Sequence, residues 1–203
     1  MLNFKSVNRD QVKQQGAFQM LPKGAYVVKI INIKTEANKN NDGQHLRIAF
    51  DIAEGEYKDF YMKQYQNNTN EDKKWPNDAN FTINIPDDSS PEWMSQKFFT
   101  FLANVEDSNK GYTFNGDETK LKGKLFGGLF RNEQSEYNGN IYDHIRLWWT
   151  RPADDVRNNK YGSLPKDKLI SAKPATPENA SNEFIQIPDE VGADVLYASG
   201  IHP

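Results

Sequence analysis

The 203-residue sequence contains no cysteine. That excludes a disulfide framework and thiolate metal ligation, and it fits a reducing compartment. Histidine is scarce. His45, His144 and His202 are too few and too scattered for a metal motif or a nucleophile-histidine pair. Hydrophobic residues make up only 36% of the chain, low for a wholly packed protein, so part of it reads as extended. No apolar run is long enough to span a bilayer, and the opening MLNFKSVNRDQ lacks the apolar centre of a signal peptide. The expected location is the cytoplasm. The Asn-x-Ser/Thr triplets at Asn67, Asn80 and Asn179 are then coincidences of an asparagine-rich chain.

Excess positive charge is also missing. The formal net charge is −3, which argues at first against a polyanion partner. The distribution softens that objection. From Pro174 onward there are five acids (Glu178, Glu183, Asp189, Glu190, Asp194) and no Lys or Arg. With those five taken from the 28 acids, 23 acidic residues face 25 basic ones. The body is near +2 and the tail is acidic.

Strand signals dominate what is present. After the turn signal Pro22-Lys23-Gly24, Ala25–Lys34 is rich in β-branched residues and reads as a first, central strand. A polar loop ending in Asp42-Gly43 leads to Gln44–Ala53, where Leu46, Ile48, Phe50 and Ile52 alternate with His45, Arg47, Ala49 and Asp51. Tyr57–Gln66 reads as a third strand, with Phe60 and Met62 on one side and Tyr61, Lys63 and Tyr65 on the other. Residues 67–90 form a polar insertion whose short extended piece, Phe81–Ile85, offers an addition to the sheet. Ser90-Pro91-Glu92 opens a helix, and Met94, Phe98, Phe101, Leu102 and Val105 make one apolar stripe along it. Leu121–Arg131, with glycines suited to a bend, and Ile141–Thr150 read as the last two strands, flanking the hairpin signal Asn138-Gly139.

Three strands, a helix and two strands is the order of an OB barrel. The expected fold is therefore mainly β: a five-stranded OB-type barrel with one helix between strands 3 and 4, and extended N- and C-terminal segments. The expected division is an N-terminal arm at 1–20, the barrel at 21–150, a basic extension at 151–173 and a flexible acidic tail at 174–203.

The outward face of the third and fifth strands carries the leading constellation: Tyr61, Lys63, Tyr65, Tyr142, His144, Arg146 and Trp148. Aromatic rings stack on unpaired bases, and neighbouring cations neutralise phosphate and release counterions. The same residues would equally suit packing under loops or against another subunit. Trp75, beside Lys73 and Lys74, has two readings: a stacking finger, or a ring folded back to close its loop. Arg131, Arg151, Arg157, Lys160, Lys166 and Lys168 form a downstream basic group, of which Arg131, Arg151, Lys166 and Lys168 join the candidate nucleic-acid contacts. Catalytic signals are weak. GKLFGG lacks the phosphate-loop spacing, and the acid-x-lysine triplets Glu56-Tyr57-Lys58 and Glu118-Thr119-Lys120 are common by chance in a chain this charged. The expectation is a binding protein, not an enzyme, with no cofactor and no metal.

The stretches PKGAYVVKIINIK, FDIAEGEYKDFY, FFTFLANVEDSNKGY, LKGKLFGGLFRNEQ and SLPKDKL resemble a group of phage and integrated-element proteins of Gram-positive bacteria, described as single-stranded DNA-binding proteins. The resemblance covers about residues 20–170. It implies an OB fold, sequence-tolerant binding of single-stranded DNA in a bacterial host, and work beside a recombinase or the replication machinery, with room for a homo-oligomer. Proteins of that function often close on an acidic segment tipped by proline and an aromatic residue. FIQIPDEV looks like the start of one, which assigns partner binding to Phe184, Ile187, Asp189 and Glu190, although ASGIHP follows instead of an aromatic tip. The alternative expectation is a protein-protein interaction module built on the same barrel.

Overall fold

A computed structural model describes residues 20–40 and 43–170. The arm expected before Met20 and the acidic tail, with Phe184, Ile187, Asp189 and Glu190, lie outside the described residues. Among the described residues there are five strands: β1 (Ala25–Ala37), β2 (Gln44–Ile52), β3 (Asn80–Ile85), β4 (Leu125–Tyr137) and β5 (Asn140–Arg151). Three helices accompany them: α1 (Phe60–Asn67), α2 (Glu92–Ser108) and α3 (Ala153–Arg157). All neighbouring strands are antiparallel, in the order β3-β2-β1-β4-β5. The fold is mainly β, and its five-stranded sheet is open. Among the described residues no helix is long and apolar enough to cross a membrane.

One expected strand is a helix. Residues 57–66 do not join the sheet; Phe60–Asn67 forms α1, and Asn80–Ile85, at the end of the insertion, pairs with β2 in its place. The cause lies upstream. Asp51, on β2 and 3% exposed, accepts the backbone N–H of Tyr61 at 2.9 Å and of Met62 at 3.0 Å, besides that of Ile52 at 2.8 Å. A carboxylate from a neighbouring strand thus satisfies first-turn donors that a helix leaves orphaned. Asp59, at φ 59°, turns the chain into that helix. The fourth strand also starts later than expected. Leu121 closes a short 3-10 turn, Glu118–Leu121, and the ladder begins at Leu125.

Two register shifts shape the sheet. In β1 the shift between Ile30 and Asn32 turns Ile33 to the same side as Val28 and Ile30, and all three are buried. In the β4–β5 pair, Leu129 faces Trp149 while Phe130 faces Leu147, so Trp148 is an extra residue on β5. Such a bulge reverses the in-out alternation beyond it.

The apolar stripe of α2 covers the inner side of the sheet. Phe98, Phe101, Leu102 and Val105 are buried, and Phe101 meets Phe126 edge-on at 5.5 Å and Phe81 in a tilted contact at 5.9 Å. Each such side chain contributes about 1.5–3 kcal/mol by leaving water. A buried hydrogen bond from Asn104 Nδ2 to Thr150 Oγ1, 2.9 Å, ties α2 to β5. Two glycines in β4 allow close packing on both sides. A Cβ on Gly127 would lie 2.6 Å from Val156 of α3, and one on Gly128 would lie 2.9 Å from Leu147 and Phe130.

Candidate functional site

The outer strands β3 and β5 lie near each other, yet no ladder joins them. One end of this seam is closed by side chains. Asp78, buried in the 3-10 turn before β3, pairs with Arg146 at 3.1 Å and His144 at 3.3 Å and accepts the Ile145 N–H at 3.4 Å. Arg146 also donates to the Asn77 carbonyl at 3.1 Å. His144 Nε2 lies 2.8 Å from the Ser135 hydroxyl. The His144 ring and the Arg146 guanidinium are therefore directed at a carboxylate, not presented together to solvent.

The other end of the seam widens into a cleft of about 450 Å³ between α2, β3 and β5. Phe81, Ile83 and Phe101 form its apolar lining, and Trp93, Lys97, Trp148, Trp149 and Arg151 complete it. Trp93 is 62% exposed, Trp148 40% and Trp149 41%. Trp93 and Lys97 are four residues apart on α2 and so share one helical face. Trp148 and Trp149 both reach solvent because of the bulge at Trp148. Lys97 Nζ lies 5.8 Å from the centre of the Trp148 ring, and the Arg151 guanidinium 6.0 Å from that of Trp149. Three indoles and two exposed or half-buried cations thus converge on one apolar opening.

The candidates read from the sequence divide over this frame. Trp148 and Arg151 line the cleft. Tyr142 is exposed but lies toward the tip of the β4–β5 hairpin, with Tyr137 and Ile141. Tyr61 is a correction: it is 1% exposed, edge-on to Phe50 at 5.8 Å and Phe60 at 5.2 Å, and among the described residues its buried hydroxyl has no hydrogen-bond partner. It belongs to the core because Tyr57–Gln66 is not a strand with an outward face. On α1, Lys63 donates to the Lys58 carbonyl at 2.9 Å, and Tyr65 is half-buried against Trp75, ring centres 5.8 Å apart. Trp75 folds back onto the core and donates Nε1–H to the Ala79 carbonyl at 3.2 Å.

Arg131 is also corrected as a surface cation. It is 9% exposed, its guanidinium carbon lies 3.4 Å from the centre of the Trp148 ring, and it pairs with Glu133 at 2.7 Å. Lys168 pairs with Glu133 at 3.4 Å, and Arg157 with Glu54 and Asp154. Lys166 is exposed on the extension. Trp93, Lys97 and Trp149 escaped the sequence reading. Trp93 and Lys97 lie off the apolar stripe of the helix, and strict alternation with Trp148 outward would put Trp149 on the opposite face of the strand.

Among the described residues, no group of three or more His, Asp or Glu side chains is arranged to hold a metal ion. No protein-family model and no curated protein matches the chain.

Proposed function

We propose that this chain binds and protects single-stranded DNA without strong sequence preference, and without catalysis, in phage or mobile-element replication and recombination. The observation that carries the reading is the cleft lined by Trp93, Trp148 and Trp149 with Lys97 and Arg151. Exposed indoles offer stacking surfaces to unpaired bases, and lysine or arginine at the rim offers counter-charge to phosphate. A duplex keeps its bases stacked on one another and has none to insert. In this reading the sheet is an OB-type barrel left open along one seam. The central β1 pairs with both β2 and β4, and joining β3 to β5 would close the ring.

The test is a fluorescence titration of the full chain with oligo-dT and with duplex DNA at two salt concentrations. Oligo-dT quenches tryptophan emission, duplex binds more weakly, and affinity falls as salt rises. Two or three phosphate contacts give a log-log slope of about −1.4 to −2. Trp93→Ala is the cleanest variant, since that ring is mostly exposed. It lowers affinity by roughly 5- to 150-fold, the equivalent of about 1–3 kcal/mol per stacked base. Absence of quenching at low salt, or an unaltered Kd in Trp93→Ala, rejects the reading.

A second reading, a protein-interaction module serving a recombinase or replication protein, draws on the exposed Tyr137, Ile141 and Tyr142 near the hairpin tip. An interaction module leaves the oligonucleotide free in the same titration.

A further inference from the structure

Arg131 and Arg146 stand directly opposite each other in the β4–β5 ladder. Facing like charges destabilise a sheet unless each finds its own anion. Arg146 turns to Asp78 across the seam, while Arg131 turns along its own strand to Glu133. Glu133 is fixed in turn by the segment that follows α3. Lys168 forms a parallel bridge with Glu133, donating its backbone N–H to the Asn132 carbonyl at 3.0 Å and accepting that of Gln134 at 2.9 Å. Asp167 accepts the Asn132 N–H at 3.0 Å and pairs with Lys23 at 2.9 Å. Burial alone would raise the Glu133 carboxyl, but hydrogen bonds from Arg131 and Lys168 outweigh it and hold it below the ordinary range. Glu133 is thus a buttressed anion, and the cation it holds lies flat against Trp148, where a desolvated guanidinium-indole contact is at its strongest.

We infer that Glu133, anchored by the 167–168 segment, is a positioning residue that sets the Trp148 ring through Arg131, so that the extension contributes to strand binding by fixing a stacking surface. This rests on the proposed single-stranded DNA reading. It also makes a prediction of unusual sign. Removing a carboxylate beside a polyanion site should strengthen binding if charge alone matters. If Glu133 holds the platform, its loss weakens binding.

Two variants of the full chain test this, Glu133→Gln and Arg131→Lys, the second keeping the charge but losing the planar stack. Each should bind oligo-dT roughly three- to tenfold more weakly than wild type. In the free protein labelled with 5-fluorotryptophan, the Trp148 fluorine line, assigned by its absence in Trp148→Phe, should shift and broaden in both variants while the Trp75 line stays in place. A Glu133→Gln protein that binds as tightly as wild type or tighter overturns the inference, as does an unmoved Trp148 line. If wild type itself ignores oligo-dT, the DNA reading fails, and the fluorine line alone decides whether Glu133 sets the ring.

Discussion

Replacing Asp51 should unfasten α1 from the sheet, and the size of the effect follows from three hydrogen bonds. Oδ1 accepts from Ile52 and Tyr61, and Oδ2 from Met62. Asp51→Ala leaves three donors without their acceptor. A buried orphaned donor costs about 1–3 kcal/mol. The first two are buried, whereas the Met62 bond is only partly so, and water can recover some of that loss. Relief from burying a carboxylate offsets a further part, leaving about 3–4 kcal/mol. That is a large fraction of the roughly 5–15 kcal/mol that holds a domain together. Asp51→Asn keeps one acceptor, which can serve Ile52 and Tyr61, but turns an amide donor toward the Met62 N–H; it should cost about 1–2 kcal/mol.

The pH dependence has a definite sign. Burial raises the Asp51 carboxyl above its ordinary value, against the pull of the three N–H groups and with help from nearby Asp59. The folded state then holds the proton more tightly than the unfolded chain, so this group's contribution is greatest at low pH and declines as pH rises through the folded pKa. The stability gap between wild type and Asp51→Asn should narrow over that interval. Urea unfolding followed by far-ultraviolet circular dichroism measures the gap, and hydrogen exchange at Tyr61 and Met62 shows whether α1 opens. An Asp51→Ala protein within about 0.5 kcal/mol of wild type, the range of ordinary surface changes, would refute the capping argument.

Tyr61→Phe removes a buried hydroxyl that has no partner among the described residues; thermal unfolding should show a stability unchanged or raised by up to about 1 kcal/mol, with oligo-dT affinity unaltered. Gly127→Ala drives a methyl into Val156, the Pro152 carbonyl and the Arg151 carbonyl. It should cost about 1–3 kcal/mol in denaturant titration and loosen α3, read as faster amide exchange at Asp155 and Asn158.

The parts of the fold legible in the sequence are those that local periodicity determines. The alternation of Leu46, Ile48, Phe50 and Ile52 is a buried strand face, and the spacing of Phe98, Phe101, Leu102 and Val105 is a buried helical stripe. Residues 57–66 misled because Phe60 and Met62 mimic a period of two, while the carboxylate that makes them helical lies on another strand. The short extended piece Phe81–Ile85 in the polar insertion is β3, and its six residues take the sheet position next to β2 that residues 57–66 were expected to fill. The site was half visible for a related reason. Aromatic and basic residues on β5 could be recognised as a group, but which of them are spent on each other depends on Asp78 and Glu133, and no spacing rule foretells those pairings.

The extra residue on β5 has a consequence for how this surface tolerates change in chain length. A regular strand sends neighbouring side chains to opposite sides, so two consecutive indoles cannot both border one opening. Loss of Leu147 from the run Leu147-Trp148-Trp149 would restore an even ladder and send the two indoles to opposite sides, while substitutions elsewhere on β5 that spare the count would keep both at the opening. The number of residues in this stretch thus matters to the surface alongside their identity.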